Sequence, residues 1–180
     1  RVVFWNSFFK RDKLSAMKMA NLLYSFYPGR DISKFIDNAP EYYRQMLKPH
    51  LAPNIMKRFE EHRRDGVKLV ILSASPSYIL DIVKDDLALD AVLATRLSVD
   101  ESGVCRGIKD DFICIDANKA IAAKRWASEH DIDLAHSYAY GDHLSDVPML
   151  EMVGHPFAVE PKPALLQVAK RRGWPVLSVD

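Results

Sequence analysis

Residues 67–72 read Val-Lys-Leu-Val-Ile-Leu, and Ser75-Pro76 follows within a few residues. A short run this apolar and β-branched suits a strand that is covered on both faces. Ser75 is placed to cap a helix and Pro76 to begin it, with Ile79, Ile82 and Val83 turned inward. The strand-then-helix pattern recurs to the end of the chain. Ala91 to Ala94 reads as a strand, and a helix follows from about Asn118 to His130. Ser137 to Tyr140 is a strand, Ser145 to Met152 a short helix, and Pro156 to Val159 a strand. Pro163 to Arg172 is the last helix, before a final strand at Pro175 to Leu177. Such alternation predicts right-handed crossovers and a parallel sheet, hence a Rossmann-like doubly wound α/β core. One interruption is expected. Between Leu97 and Ile108 the cluster Asp100-Glu101-Ser102-Gly103 marks a hairpin turn.

The first third has another texture. Leu14, Met17, Ala20, Leu23 and Tyr24 recur at helical spacing, Pro40 and Pro53 each mark a helix start, and Gly66 ends the helix begun at Pro53. The one candidate strand there is the apolar run Val2 to Phe4. Charge divides at the same place: residues 1–66 hold 13 Lys+Arg against 7 Asp+Glu, residues 67–180 hold 12 against 17. We therefore expect a basic all-helical module over residues 1–64 and an α/β core over 65–180. Trp5, Phe8, Phe9, Tyr24, Phe26 and Tyr27 supply the core of that module or an apolar patch facing a ligand. The whole chain carries a net charge of only +1, which argues against a nucleic-acid partner. Its apolar runs are too short to span a bilayer. Two cysteines in 180 residues give no disulfide framework, so a reducing, cytoplasmic setting is expected.

In a parallel sheet, ligands bind beyond the carboxyl ends of the strands. Three places there carry chemistry. Ser73, after the 67–72 strand, offers a hydroxyl and neighbouring N–H groups to an oxyanion, or is simply a turn residue. Asp142 and Asp146, in Gly141-Asp142-His143-Leu144-Ser145-Asp146, could hold a hard divalent cation, or Asp146 could serve only to begin a helix. Lys119, at the start of the 118–130 helix, opposes the helix dipole unless an anion faces it; otherwise it is surface charge. His143 reads as a rim residue and Cys105 and Cys114 as unpaired thiols.

Taken together and in this order, Ser73, Lys119 and Gly141-Asp142-x-x-x-Asp146 resemble the second, third and fourth motifs of the haloacid dehalogenase superfamily. Leu72-Ser73-Ala74-Ser75-Pro76, Leu93-Ala94-Thr95-Arg96-Leu97, Tyr140 to Leu150, Gly154-His155-Pro156-Phe157-Ala158-Val159 and Gly173-Trp174-Pro175-Val176-Leu177 are similar to its phosphoserine-phosphatase-like branch. The resemblance covers about residues 53–180 and implies a Mg²⁺-dependent phosphomonoester hydrolase working through an aspartyl-phosphate. It implies that Ser73, Ala74 and Lys119 bind phosphate and that Asp142 and Asp146 serve the metal. A small phosphorylated metabolite or a phospholipid head group is the implied substrate. Ser145, and Ala74-Ser75 where phosphoserine phosphatases carry Gly-Gly, put serine phosphate itself in doubt.

One motif is absent. The family's first, Asp-x-Asp after the first core strand, supplies the nucleophile and the general acid/base. Here Val2 to Phe4 is followed by Trp5-Asn6-Ser7, with no carboxylate before Asp12. With an Arg at position 1 and only 72 residues ahead of Ser73, the expectation is that the nucleophile strand lies upstream of residue 1. The alternative is a phosphate-binding relative that has lost catalysis. Under either reading, residues 1–180 alone should hydrolyse little or nothing.

Overall fold

The computed structural model describes residues 1–5 and 16–178. Six strands form one sheet in which every neighbouring pair is parallel: β1 (Val2–Trp5), β2 (Lys68–Pro76), β3 (Ala91–Thr95), β6 (Tyr138–Gly141), β7 (His155–Val159) and β8 (Val176–Leu177). Their spatial order is β3-β2-β1-β6-β7-β8. The hairpin expected over 97–108 is present as β4 (Leu97–Val99) and β5 (Cys105–Ile108), a separate antiparallel pair. Asp100 fixes its turn by accepting from the N–H groups of Ser102 and Val104 and the Ser102 hydroxyl.

Alternation along the strands sorts two cores. Leu69 and Ile71 face α3 (Pro53–Arg64) and α4 (Ser77–Asp86), where Ile55, Phe59, Leu80 and Val83 are buried with them. Val70 and Leu72 face the other way, toward α5 (Ala117–Glu129), α6 (Val147–Leu150) and α7 (Pro163–Arg172), through Ala123, Trp126, Met149, Leu150 and Leu165. At about 25 cal/mol per Å² of apolar surface, each such fully buried side chain contributes roughly 1.5–3 kcal/mol. This is the doubly wound arrangement that the run at 67–72 required.

The packing does not divide at residue 64. Val2–Trp5 lies in the middle of the sheet, paired with β2 on one side and β6 on the other, and α3 packs on the sheet beside α4. The central place, which the sequence left to a strand upstream of residue 1, is taken here by β1. The helical module is α1 (Ala16–Tyr24) and α2 (Ser33–Tyr42), continued by turns through His50. Pro40 does not begin a helix; it lies inside α2, which widens into a π-turn over Tyr43–Leu47. Residues 29–32 stitch the module to the hairpin, with Gly29 N–H on the Cys105 carbonyl (2.8 Å) and Ile32 N–H on the Gly103 carbonyl (3.0 Å). Of the aromatic residues expected there, Tyr24 is buried and Phe26 is exposed, while Phe8 and Phe9 lie outside the described residues. Among the described residues, no helix is long and apolar enough to cross a membrane.

Beneath α3, polar and aromatic groups share the core. His62 Nε2 is 2.8 Å from the Tyr140 hydroxyl, and its ring packs on Tyr138. Burial first, and then the charge of Arg58, hold the His62 imidazole below its usual pKa of 6.5. A cationic group so depressed favours the neutral form in the folded state. Its stabilisation is therefore complete above the unfolded value and is lost as pH falls from about 6.5 through the folded value. Melting of His62→Gln is expected to depend less on pH between about 7 and 5 than melting of the parent. Parallel pH profiles would remove His62 from this role.

Candidate active site

The chain order of the strands reverses between β1 and β6, so the crevice of this sheet opens at the carboxyl ends of β1, β2 and β6. Ser73 lies in the last part of β2, where register with β3 shifts between Ser73 and Pro76 and frees the backbone from regular pairing. Ser75 does not cap α4. The N-cap position is Pro76, and Ser75 N–H instead donates to Ser73 Oγ (3.1 Å), leaving the Ser73 hydroxyl proton to donate elsewhere.

Lys119 sits in the first turn of α5, and the anion that its position demanded is Asp146. Lys119 Nζ donates to Asp146 Oδ1 at 2.7 Å, with the two side chains 3% and 0% exposed. The other carboxylate oxygen, Asp146 Oδ2, accepts from the N–H groups of Asp142 (3.2 Å) and His143 (3.1 Å). His143 replies by accepting from Ser145 N–H at 3.2 Å, so the two residues form a reciprocal capping box. Asp146 thus holds both the β6 loop and the lysine. Gly141 is needed for space: a Cβ there would lie 2.7 Å from that of Asp146.

Asp142 follows β6 directly and is half-buried. Burial, and next the negative charge of Asp146, push its carboxyl up to about 6, with Lys119 partly opposing them. Its carbonyl accepts from Lys162 N–H (3.2 Å), which ties in the loop before α7. Cys114 joins the other two positions. Its thiol donates to the Leu93 carbonyl (3.2 Å) beside Lys119 and the Ser73 backbone; both of these favour the thiolate, yet burial outweighs them and pushes it up to about 11. Both cysteines are free, as the sequence suggested, and both are buried.

All four sequence-predicted side chains therefore belong to one end of the sheet, with Ala74 beside Ser73. Two residues that the sequence did not place at the site join them. Thr95, fully buried at the end of β3, accepts from Cys114 N–H at 3.1 Å through Oγ1. Tyr24, from α1, lies beside the Thr95 hydroxyl and donates its own hydroxyl to the Ala74 carbonyl. Thr95 ends a strand and lies in the family-like phrase Leu93-Ala94-Thr95-Arg96-Leu97, the two signals that could have singled it out.

The residues present meet a hard cation only in part. Asp142 is an oxygen donor whose raised pKa a nearby cation would lower, but both oxygens of Asp146 are already engaged. Among the described residues, no three His, Cys, Asp or Glu side chains form a complete ligand cluster.

The sequence model of one family, haloacid dehalogenase-like hydrolase, matches residues 2–151. The chain belongs to that family. It is 32% identical over 160 residues to an inhibition of morphological differentiation protein of Streptomyces azureus, covering 89% of this chain and 57% of that one. It is 30% identical over 161 residues to a probable phosphatase of Mycobacterium tuberculosis, covering 89% and 55%. A phosphoserine phosphatase of Lactococcus lactis is 33% identical over 116 residues, 64% of this chain and 53% of that one. The chain thus spans a little over half the length of these relatives. A protein of unknown function from Bordetella pertussis Tohama I shares the fold, with a TM-score of 0.81 at 22% identity over 93% of this chain and 76% of its own.

Proposed function

We propose that residues 1–180 form the phosphate-handling body of a Mg²⁺-dependent phosphomonoester hydrolase that works through an aspartyl-phosphate. The observation that carries this reading is the buried Lys119–Asp146 pair beside Ser73 and Asp142 at the sheet's crevice. An ammonium has three donors, and Asp146 takes one, so Lys119 retains others for a phosphoryl oxygen. The Ser73 hydroxyl and the nearby N–H groups add neutral donors. Phosphoryl transfer depends chiefly on such positioning and charge stabilisation. Asp142 would hold Mg²⁺ with oxygen donors from outside the described residues, and the ion would neutralise phosphate charge. The substrate is a small phosphorylated metabolite, with a phospholipid head group the second class. The attacking carboxylate comes from outside this chain.

The second reading, a relative that binds phosphate without hydrolysing it, is favoured by one observation: Val2–Trp5 fills the central strand position and has no acidic residue. Both readings share the anion site. Titration with inorganic phosphate is therefore expected to saturate, more tightly with Mg²⁺ than without. Asp142→Asn is expected to lose that Mg²⁺ dependence, at least about tenfold in affinity, with the fold intact. A variant that kept it would refute the metal assignment, and a parent chain that bound no phosphate would refute the site.

A further inference from the structure

We infer that Tyr24 is a positioning residue for the anion site, holding the Ala74–Ser75 peptide so that Ser75 N–H is turned toward Ser73 Oγ and an arriving phosphoryl oxygen. The inference rests on the phosphate reading above and goes beyond it by giving the helical module a role in the site. The Ala74–Ser75 peptide is trans, so its C=O and N–H point in opposite directions. Tyr24 grips one end by donating to the Ala74 carbonyl, and Ser73 Oγ accepts at the other from Ser75 N–H.

The hydroxyl is itself fixed from behind. Cys114 N–H donates to Thr95 Oγ1, the Thr95 hydroxyl lies beside the Tyr24 oxygen and favours its charged form as a donor would, and Tyr24 donates to Ala74. Thr95 Oγ1 is thereby committed as an acceptor and the Tyr24 proton to Ala74, so the Thr95 proton is the one free to face the phenol oxygen. Tyr24 and Thr95 are 2% and 0% exposed, and Ala20, Ile113 and Ile115 pack around the Tyr24 ring. Burial raises the phenol's pKa, so Tyr24 stays a donor at any physiological pH. Water cannot replace a donor so enclosed. Without it, the Ala74 carbonyl has lost its partner, and rotation of the peptide would turn that carbonyl toward the anion and Ser75 N–H away.

The test uses the 1–180 chain with inorganic phosphate and Mg²⁺, read by calorimetry and by the amide resonance of Ser75. Tyr24→Phe keeps the ring and its packing. It is expected to fold cooperatively but to melt a few degrees below the parent, to shift the Ser75 amide, and to bind phosphate about tenfold more weakly. Tyr27→Phe, which removes the neighbouring 3.3 Å contact with the Tyr78 hydroxyl, should leave both readouts unchanged. If Tyr24→Phe does not fold, Thr95→Val breaks the same chain one link earlier and should give the same two changes. Parental affinity or an unmoved Ser75 amide in the folded variant overturns the inference while Ser73→Ala still shows the site to be real. If Ser73→Ala also binds like the parent, or the parent does not bind, the phosphate reading fails and this inference fails with it.

Discussion

Asp146→Ala is expected to cost about 3–5 kcal/mol of folding stability, measured by urea denaturation near pH 7. The side chain is fully buried, and its bonds include one to the Lys119 ammonium and two, through the other oxygen, to the backbone N–H groups of Asp142 and His143. Truncation removes them all at once and leaves the Lys119 charge enclosed, 3% exposed, without its carboxylate. That orphaned charge, more than the lost bonds, sets the size of the effect. Adding Lys119→Met to Asp146→Ala should therefore recover part of the loss, because the second change removes the unpaired ion. A domain of this size has about 5–15 kcal/mol in total, so the single variant sits close to unfolding and the double variant does not. If Asp146→Ala costs less than about 1 kcal/mol, or the double variant is no better than the single one, the pair is not the keystone of this site.

The same pair shows how far sequence reading reached. Ser73, Lys119, Asp142 and Asp146 could be found because each follows a strand or opens a helix, and strand ends are where a doubly wound sheet displays polar groups. The run at 67–72 was legible for a similar reason: its β-branched residues need cover on both faces, and the sheet supplies it. That Asp146 is the counter-ion of Lys119 was not legible, since the two are 27 positions apart and only the fold joins α5 to the β6 loop. The Tyr24–Thr95–Cys114 chain was hidden for the same reason, as it draws on α1, β3 and the approach to α5. Pro40 misled because proline favours the first turn of a helix, whereas α2 carries it inside and opens into a wider turn just beyond. Ser75 misled because β2 runs on through Pro76, which takes the N-cap position of α4 and leaves Ser75 inside the strand.

Residues 1–180 alone, with Mg²⁺, are expected to turn over phosphomonoesters at least about 10⁴-fold more slowly than a chain extended upstream by an Asp-x-Asp strand. An aspartyl-phosphate needs a carboxylate level with Ser73 and Asp142, and in this sheet the position between β2 and β6 alone meets both. β1 holds that position and offers Val2, Val3, Phe4 and Trp5, with no carboxylate. In the proposed reading Ser73 and Lys119 hold the phosphate, Asp142 serves the metal and Asp146 is engaged with Lys119 and the loop, which leaves no described carboxylate at the site to attack phosphorus. An added strand must take the place of β1, since β1 already bonds to β2 through the Val2–Lys68 to Trp5–Ile71 register and to β6 on its other edge. The extended chain should thus show two linked changes: measurable turnover, and faster hydrogen exchange at the amides of residues 2–5 as they leave the sheet. Turnover by the 1–180 chain itself would refute the assignment of the nucleophile to residues outside it. An extended chain that binds phosphate, places its aspartate between β2 and β6 and still fails to hydrolyse would decide for the non-catalytic reading.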